Sequence, residues 1–479
     1  MATDRRSFLK LSAMAGLGLV AANGCNVANK EQEGTKLSSI LKEAEKDYKP
    51  IFNMCGYAAP AMERVRIGFI GVGNRGAAAV ERMSRIDGVD IQGICDVRMQ
   101  KAEEAKTRIV AGNHEAKIYA SSDQAWKELC DRTDVDLIYV ATQWALHAEI
   151  AVYAMEHGKH VALEIPAATT VEDCWRLVMT SETTKKHCVI LENCCYDFFE
   201  LLTLNLARQG FFGEIVHCEG AYIHDILNSF FEKDARYDLW RLKENAERNG
   251  NLYPTHGIGP ICQILKINRG DRMEYMTAMA SKDFSLGNKA REVAATDESF
   301  KDFVDRPFRG NMNVSSIATS NGSTMMLQHD VSTPRPYSRI HLVSGTKAFA
   351  QKYPLPGKIA VGHEDFLDEQ AMRELEKKYT PNIVKQIGEL AKSIGGHGGM
   401  DFMMDWRLID CLRNGLPVDM DVYDAASWSV IGPLSEWSVA NGSQPIAIPD
   451  FTMGRWQGNK VHEINLESGG TTKVINTNL

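Results

Sequence analysis

No apolar run in this 479-residue chain is long enough to cross a bilayer, which takes about 20 residues. A polytopic membrane protein is therefore excluded. No long basic run is present either, and the charge sum is 54 − 62 = −8. A mildly acidic chain without a basic stripe is a poor match to a phosphate backbone, so nucleic acid is not an expected partner. None of the 11 cysteines forms a Cys-x-x-Cys pair, and no His/Cys cluster has ligand spacing. A metal is not expected. Internal repeats and low-complexity blocks are also missing. What remains is 44% apolar and 24% charged residues, the composition of a soluble globular protein. The length suits two large domains.

The first 25 residues read as a leader rather than as part of the fold. Asp4-Arg5-Arg6-Ser7-Phe8-Leu9-Lys10 precedes a weakly apolar run, Leu11 to Ala22, and then Asn23-Gly24-Cys25. Paired arginines before such a run resemble a twin-arginine export signal. Cys25 stands where a lipoprotein would be cleaved and acylated. The expected location is the periplasm, or the membrane through a lipid anchor at Cys25. Residues 26–60 read as a tether with a short helix. Cys95, Cys188 and Cys218 lie in apolar stretches and read as small buried side chains. Adjacent Cys194 and Cys195 are not expected to bridge each other.

From residue 61 the pattern changes. Val65–Ile70 reads as a strand, Ala77–Arg85 as a helix, and Asp90–Cys95 as a second strand. A helix from Met99 to Val110 follows, then strands at Val135–Ala141, His160–Leu163 and Cys188–Leu191. Helices His147–His157 and Val171–Lys185 separate those strands. This alternation predicts an α/β domain over 61–195, a doubly wound parallel sheet. Beyond it, 196–479 reads as a second α/β domain with a largely antiparallel open sheet, including Ile215–Tyr222, Thr324–His329 and Ser338–Val343.

Gly71, Gly73 and Gly76 follow the first strand and open the first helix, the context in which Gly-x-Gly-x-x-Gly binds a dinucleotide. Asp96 closes the second strand 20 residues after Gly76. A carboxylate there holds a ribose diol and repels a 2′-phosphate, so NAD is favoured over NADP. Arg98 is the counter-signal.

Two further stretches carry a resemblance. Thr142 to His147 and Gly158 to Pro166 resemble the glucose–fructose oxidoreductase-like superfamily, as does Gly395 to Asp401. The likeness spans roughly 63–440. The dehydrogenases of that superfamily have Lys where this chain has Ile165. They also carry an Asp four residues before a catalytic His, where this chain has Leu252 before His256. An aliphatic side chain cannot relay an alcohol proton.

The pattern Trp144-Ala145-Leu146-His147, Glu164-Ile165-Pro166, Glu192-Asn193 and Tyr253-Pro254-Thr255-His256 is instead similar to glycoside hydrolase family 109. The resemblance implies release of a terminal α-linked N-acetylgalactosamine with a tightly held NAD. It implies a cofactor site of Asn74, Arg75, Asp96, Trp144 to His147, Glu164, Ile165 and Asn193, beside the three glycines. Tyr222, Arg241, Tyr253, Pro254, Thr255, His256 and Tyr337 would line the sugar pocket, with Tyr196 a further candidate. His256 and Tyr253 would transfer protons, Tyr253 with its pKa lowered by Arg241. His397 is left outside the catalytic set. No pair of carboxylates for direct hydrolysis is identifiable. The implied route is oxidation at C3, elimination, water addition and re-reduction. The partner is the terminal sugar of a glycan, and a homo-oligomer is a further expectation. An exported sugar oxidoreductase and a non-catalytic sugar-binding lipoprotein are the alternatives.

Overall fold

Short apolar strands joined through helices pair in parallel, because the crossover returns the chain to the same edge. In the computed structural model six do so: β1 (Val65–Ile70), β2 (Val89–Cys95), β3 (Lys117–Tyr119), β4 (Leu137–Val140), β5 (His160–Leu163) and β6 (Cys188–Ile190). Their order is β3-β2-β1-β4-β5-β6. The structure describes residues 48–475 apart from 111, 113, 235 and 462–464. The leader and Cys25 lie outside the described residues. β4 and β5 are buried along their whole length, as strands covered on both faces must be. The strand order reverses between β1 and β4, which opens a crevice at their C-terminal ends.

The second sheet has eight strands: β7 (Ile215–Ile223), β8 (Met273–Ala280), β9 (Met312–Thr319), β10 (Thr324–Asp330), β11 (Leu342–Gly345), β12 (Ala348–Gln351), β13 (Lys358–Val361) and β14 (Ile446–Ala447). Their order is β13-β12-β11-β7-β10-β9-β8-β14. The sheet is antiparallel except that β7 and β10 pair in parallel.

Five elements differ from expectation. β3 and helix Ala125–Cys130 are short and carry no legible period. The first helix begins at Asn74, because Gly76 masks a helical turn that has already started. The strand expected at Ser338–Val343 is broken, since Ile340 and His341 take φ of 59° and 49°. Only Ser338 bridges Ile223, and regular pairing resumes at Leu342. The tether expected up to residue 60 is packed from Tyr48 onward: Tyr48, Met54 and Ala59 are buried. The anchor is Glu182, fully buried, which accepts from Ile51 N at 2.9 Å, Phe52 N at 3.2 Å and Tyr423 Oη at 2.7 Å, and also from Tyr48 Oη.

A buried carboxylate also ties the helix that leaves the first sheet to the second sheet. Glu200, on helix Phe198–Arg208, accepts from Arg339 at 2.6 Å and Lys352 at 2.7 Å. Burial opposes its charge, but the two cations outweigh burial and hold the carboxyl at about 2. Its folded value lies below the unfolded one of about 4.3, so the stabilisation is complete above that pH. It fades as the pH falls toward 2, a loss of about 3 kcal/mol. Urea midpoints measured from about pH 5 downward will follow that decline. A Glu200→Gln protein, already without the pair, will show a flatter profile.

Candidate active site

The loop after β1 is shaped by its glycines for two different reasons. Gly71 has φ of +82°, and a Cβ there would lie 2.7 Å from Thr142 N. A Cβ on Gly76 would lie 2.0 Å from Gly71 O, so the loop closes only without one. Gly73 is different. Its φ is −66°, and an added Cβ would meet only Arg98 Nη2, at 3.6 Å. Protein packing leaves room at Gly73 that a side chain would fill, and a pyrophosphate approaching the backbone needs that room. Helix Asn74–Met83 starts there with no side-chain cap and no acid in its first turn. Its N–H groups and dipole are left for an anion.

The loop forms one end of a cleft of about 300 Å³ that runs past Asp96, Trp144, Glu164 and Ile165 to Arg241 and Tyr253. Asp96 accepts from Val72 N and Arg98 N, both at 3.0 Å. Arg98 also donates through Nε to Asp96 at 3.3 Å, and its guanidinium lies 5.5 Å from the Tyr237 ring centroid. The cation that would answer a 2′-phosphate is thus folded back on the acid that excludes one. At the opposite end of the loop, Arg75 donates to Glu164 at 3.1 Å and to Asp401 at 2.8 Å.

Trp144 and His147 stand on the turn after β4. Trp144 stacks with Tyr253 at 5.6 Å and 27°. Both ring nitrogens of His147 face carbonyl oxygens, Pro166 O at 2.8 Å and Thr142 O at 3.0 Å, so the ring is a strut across the cleft wall. Burial depresses its pKa. Leu146 and Ile165 line the cleft beside it, whereas Ala145 does not. Asn193 also lies off the cleft wall: it is buried and gives its amide to Asp401 Oδ1 at 2.5 Å.

The sugar-pocket candidates divide. Tyr222, Tyr253 and His256 form one cluster, with ring centroids 4.8 Å (Tyr222–Tyr253), 5.3 Å (Tyr222–His256) and 5.0 Å (Tyr253–His256) apart. Helix Thr255–Ile264 brings His256 there by lying backbone to backbone on β7. A Cβ on Gly220 would reach 2.3 Å from Gly257 O, and one on Gly257 would reach 2.6 Å from Ala221 N. Arg241 stands between Trp144 and Tyr253, its guanidinium 5.2 and 5.1 Å from their rings. Tyr337 is half-exposed and joins through His224, whose ring lies 5.0 Å away and whose Nδ1 is 3.0 Å from Tyr222 Oη.

Other candidates fall outside. Thr255 is fully buried at the start of its helix, and Pro254 is buried before it, where its carbonyl accepts from Gly257 N and Ile258 N. A contiguous motif cannot tell a helix face from its interior. Tyr196 is buried with its hydroxyl on Asp419, at 2.9 Å. The expected lowering of the Tyr253 pKa is also overturned. Burial pushes this phenol well above its ordinary value and Tyr222 adds to the rise, while Arg241 offsets only part of it. Tyr253 thus keeps its phenolic proton near neutral pH.

Two acid–imidazole pairs emerge that the sequence did not assign. The first is Glu192 with His256, Oε1 to Nδ1 at 2.7 Å. Burial opposes the carboxylate's charge, but His256 holds its pKa below the ordinary value. Cys194 brings a third donor atom within 4.8 Å. Burial keeps that thiol protonated, and Glu192 and His256 already face each other, so the trio is a hydrogen-bonded pair beside a neutral thiol. The second pair is His397 with Asp401, Nδ1 to Oδ2 at 2.9 Å. It is set by a loop in which Gly395, Gly396, His397, Gly398 and Gly399 all have positive φ. His397 remains 59% exposed and Asp401 is 2% exposed. Burial, then Arg241, His256 and His397 depress the His224 pKa. The signal was legible in outline: a His flanked by paired glycines with Asp four residues on.

Comparison with known proteins agrees with this layout. Residues 65–192 match the oxidoreductase family model described as an NAD-binding Rossmann fold. Residues 196–458 match the glycosyl hydrolase 109 C-terminal domain. A glycosyl hydrolase family 109 protein of Porphyromonas gingivalis is 49% identical over 83% of this chain and 86% of the relative. An alpha-N-acetylgalactosaminidase of Bacteroides fragilis is 47% identical over 85% of this chain and 96% of its own length. Among solved structures, scyllo-inositol dehydrogenase from Lactobacillus casei with bound NAD(H) and scyllo-inositol shares the fold. Its TM-score is 0.57 at 13% identity, covering 80% of this chain and 99% of that one. The first domain is an NAD-binding Rossmann domain, and its glycine loop lines the cleft.

Proposed function

The chain belongs to glycosyl hydrolase family 109, and from that premise we propose that it releases terminal α-linked N-acetylgalactosamine, or a closely related sugar, from glycans. The reading rests on one observation above the others. Glu164, Glu192 and Asp401, the buried carboxylates beyond the glycine loop, are each committed to an Arg or a His. Direct hydrolysis needs two carboxylates free to flank the bond. Among the described residues, imidazole, phenol and guanidinium meet instead where Tyr222, Tyr253, His256 and Arg241 gather.

Bound NAD supplies a hydride acceptor at C3 and the donor that later reverses the oxidation, so no net redox change remains. Gly71, Gly73 and the helix start would hold its pyrophosphate, Asp96 its adenosine ribose, and Trp144, His147 and Ile165 the wall at the far end. The chain's own groups move the protons. His256 takes the hydroxyl proton from the carbon being oxidised. A ketone at C3 acidifies the hydrogen on C2; His224, its Nδ1 3.0 Å from Tyr222 Oη, would take that proton as the group on C1 departs and return it to C2 when water adds at C1. His397, held by Asp401, would protonate the departing oxygen and then take a proton from the attacking water. Arg241 and Tyr253 orient the sugar. The same proposal includes the leader reading, in which the folded protein leaves the cytoplasm with its cofactor in place and Cys25 supplies a lipid anchor.

The test is release of p-nitrophenol from its α-N-acetylgalactosaminide in D₂O without added NAD. Release with deuterium at C2 of the freed sugar is the expected result. Release of a sugar that carries no deuterium counts against elimination. No release, with steady NADH production from free sugars once NAD is supplied, makes the chain an oxidoreductase.

A further inference from the structure

Among the charged groups near the proposed sugar site, Glu192 has the least freedom to serve any purpose but one. It follows β6 directly, and its carboxylate caps its own turn by accepting from Cys194 N at 3.0 Å. That bond fixes the direction of Oε1 before any partner is considered. Glu192 is fully buried, and among the described residues its ion-pair partner is His256 alone. The helix that carries His256 makes room for the approach, because a Cβ on Gly259 would lie 2.8 Å from Glu192 Cγ. Glycine is a poorer helix former than Ala, and it stands where Glu192 meets the helix.

We infer that Glu192 is the positioning residue for His256: it fixes the proton on Nδ1 and so presents Nε2 as the acceptor for a substrate hydroxyl. Imidazole has two nitrogens, and the hydrogen bond made by one decides the protonation of the other. Nδ1 donates to Glu192, 2.7 Å away. Among the described residues no hydrogen-bond partner faces Nε2, and the side chain is 13% exposed beside Tyr222 and Tyr253. When a hydroxyl proton passes to Nε2, the ring becomes a cation with a carboxylate already in contact. When the proton returns, ring and carboxylate revert to the starting state, so the dyad turns over unchanged. The pairing serves any alcohol proton delivered to this cluster. Its use in glycoside cleavage rests on the function proposed above.

The test combines kinetics with a spectroscopic readout that needs no substrate. In ¹⁵N-histidine-labelled protein with NAD bound, the wild type is expected to show a downfield imidazole proton from the Glu192-bound Nδ1, assigned to His256 by its loss in His256→Ala and distinct from that of His397 on Asp401. Glu192→Gln is nearly isosteric and should lose that signal while retaining the cofactor. Its kcat is expected to fall ~10³-fold or more with little change in KM, the pattern of an imidazole held in the wrong tautomer. In a His256→Ala background the same substitution should add no further loss, because a group that acts through another has nothing left to act on. A further loss in that background, or Glu192→Gln activity within about 3-fold of wild type, overturns the inference. If Glu192→Gln does not fold, Glu192→Asp keeps the charge and retracts it by one methylene; unchanged signal and kcat there would also overturn it. If the wild type cleaves no glycoside while the downfield proton is present and depends on Glu192, the dyad stands and the functional proposal falls.

Discussion

His256→Gln will lower kcat by ~10³-fold or more while the protein stays folded and keeps its NAD. The size of the effect follows from the shortage of substitutes. Tyr253 lies 5.0 Å from the same ring, but burial has raised its phenol out of range for a base at neutral pH. Arg241 carries a guanidinium that does not give up its proton. Imidazole is the side chain whose ordinary pKa lets it accept and return a proton near neutrality. Tyr253→Phe removes a donor and a packing contact with Trp144 and will cost far less, on the order of 10- to 100-fold. Steady-state kinetics beside the absorbance of bound cofactor will separate the two variants. A His256→Gln protein within 10-fold of wild type would move the proton-transfer role to His224 or His397.

Asp401→Ala will destabilise the protein by about 1–3 kcal/mol and also reduce turnover. Asp401 is buried with Arg75 at 2.8 Å, Arg82 at 3.7 Å and His397 at 2.9 Å. Removing the acid leaves the buried Asn193 amide without its acceptor and Arg75 with Glu164 alone, at 3.0 Å. Arg82 retains Asp405 at 2.7 Å. Burial raises the Asp405 carboxyl to about 6, and Asp401 is one of the charges that adds to the rise. Asp405 therefore ionises more readily in the variant, and the exposed deficit falls on Arg75 and the glycine loop. Urea unfolding with an unchanged m-value will report the stability loss. A loss below about 1 kcal/mol would mean that water compensates Arg75 fully.

The parts of this site that were legible in the sequence are local. Gly71, Gly73, Gly76 and Asp96 announce themselves because a strand, a turn and a helix start occupy adjacent positions. His256 and Tyr253 are legible through a contiguous pattern, and the structure sets their rings together. What eluded the sequence is long-range. Glu192 meets His256 across 64 residues, and Glu182 collects Tyr48 across 134. Neither partner has a local signature. Thr255 shows the opposite failure, in which adjacency in a motif suggests a shared role and helix geometry assigns it to the interior. The parallel pairing of β7 with β10 was equally hidden, since strand periodicity carries no direction.

The helix after the glycine loop and the turn that follows it are anchored by chain from far downstream. Arg82, on the helix after the glycine loop, waits for Asp405, 323 residues later. Asp87 N donates to Lys473 O and Ile475 N to Arg85 O, while Trp406 Nε1 is held by Thr472 O. The nucleotide-binding half thus takes the counter-charge of Arg82 and its packing at Arg85–Asp87 from residues 405–475, so removing residues 472–475 weakens the half of the molecule farthest from them in sequence.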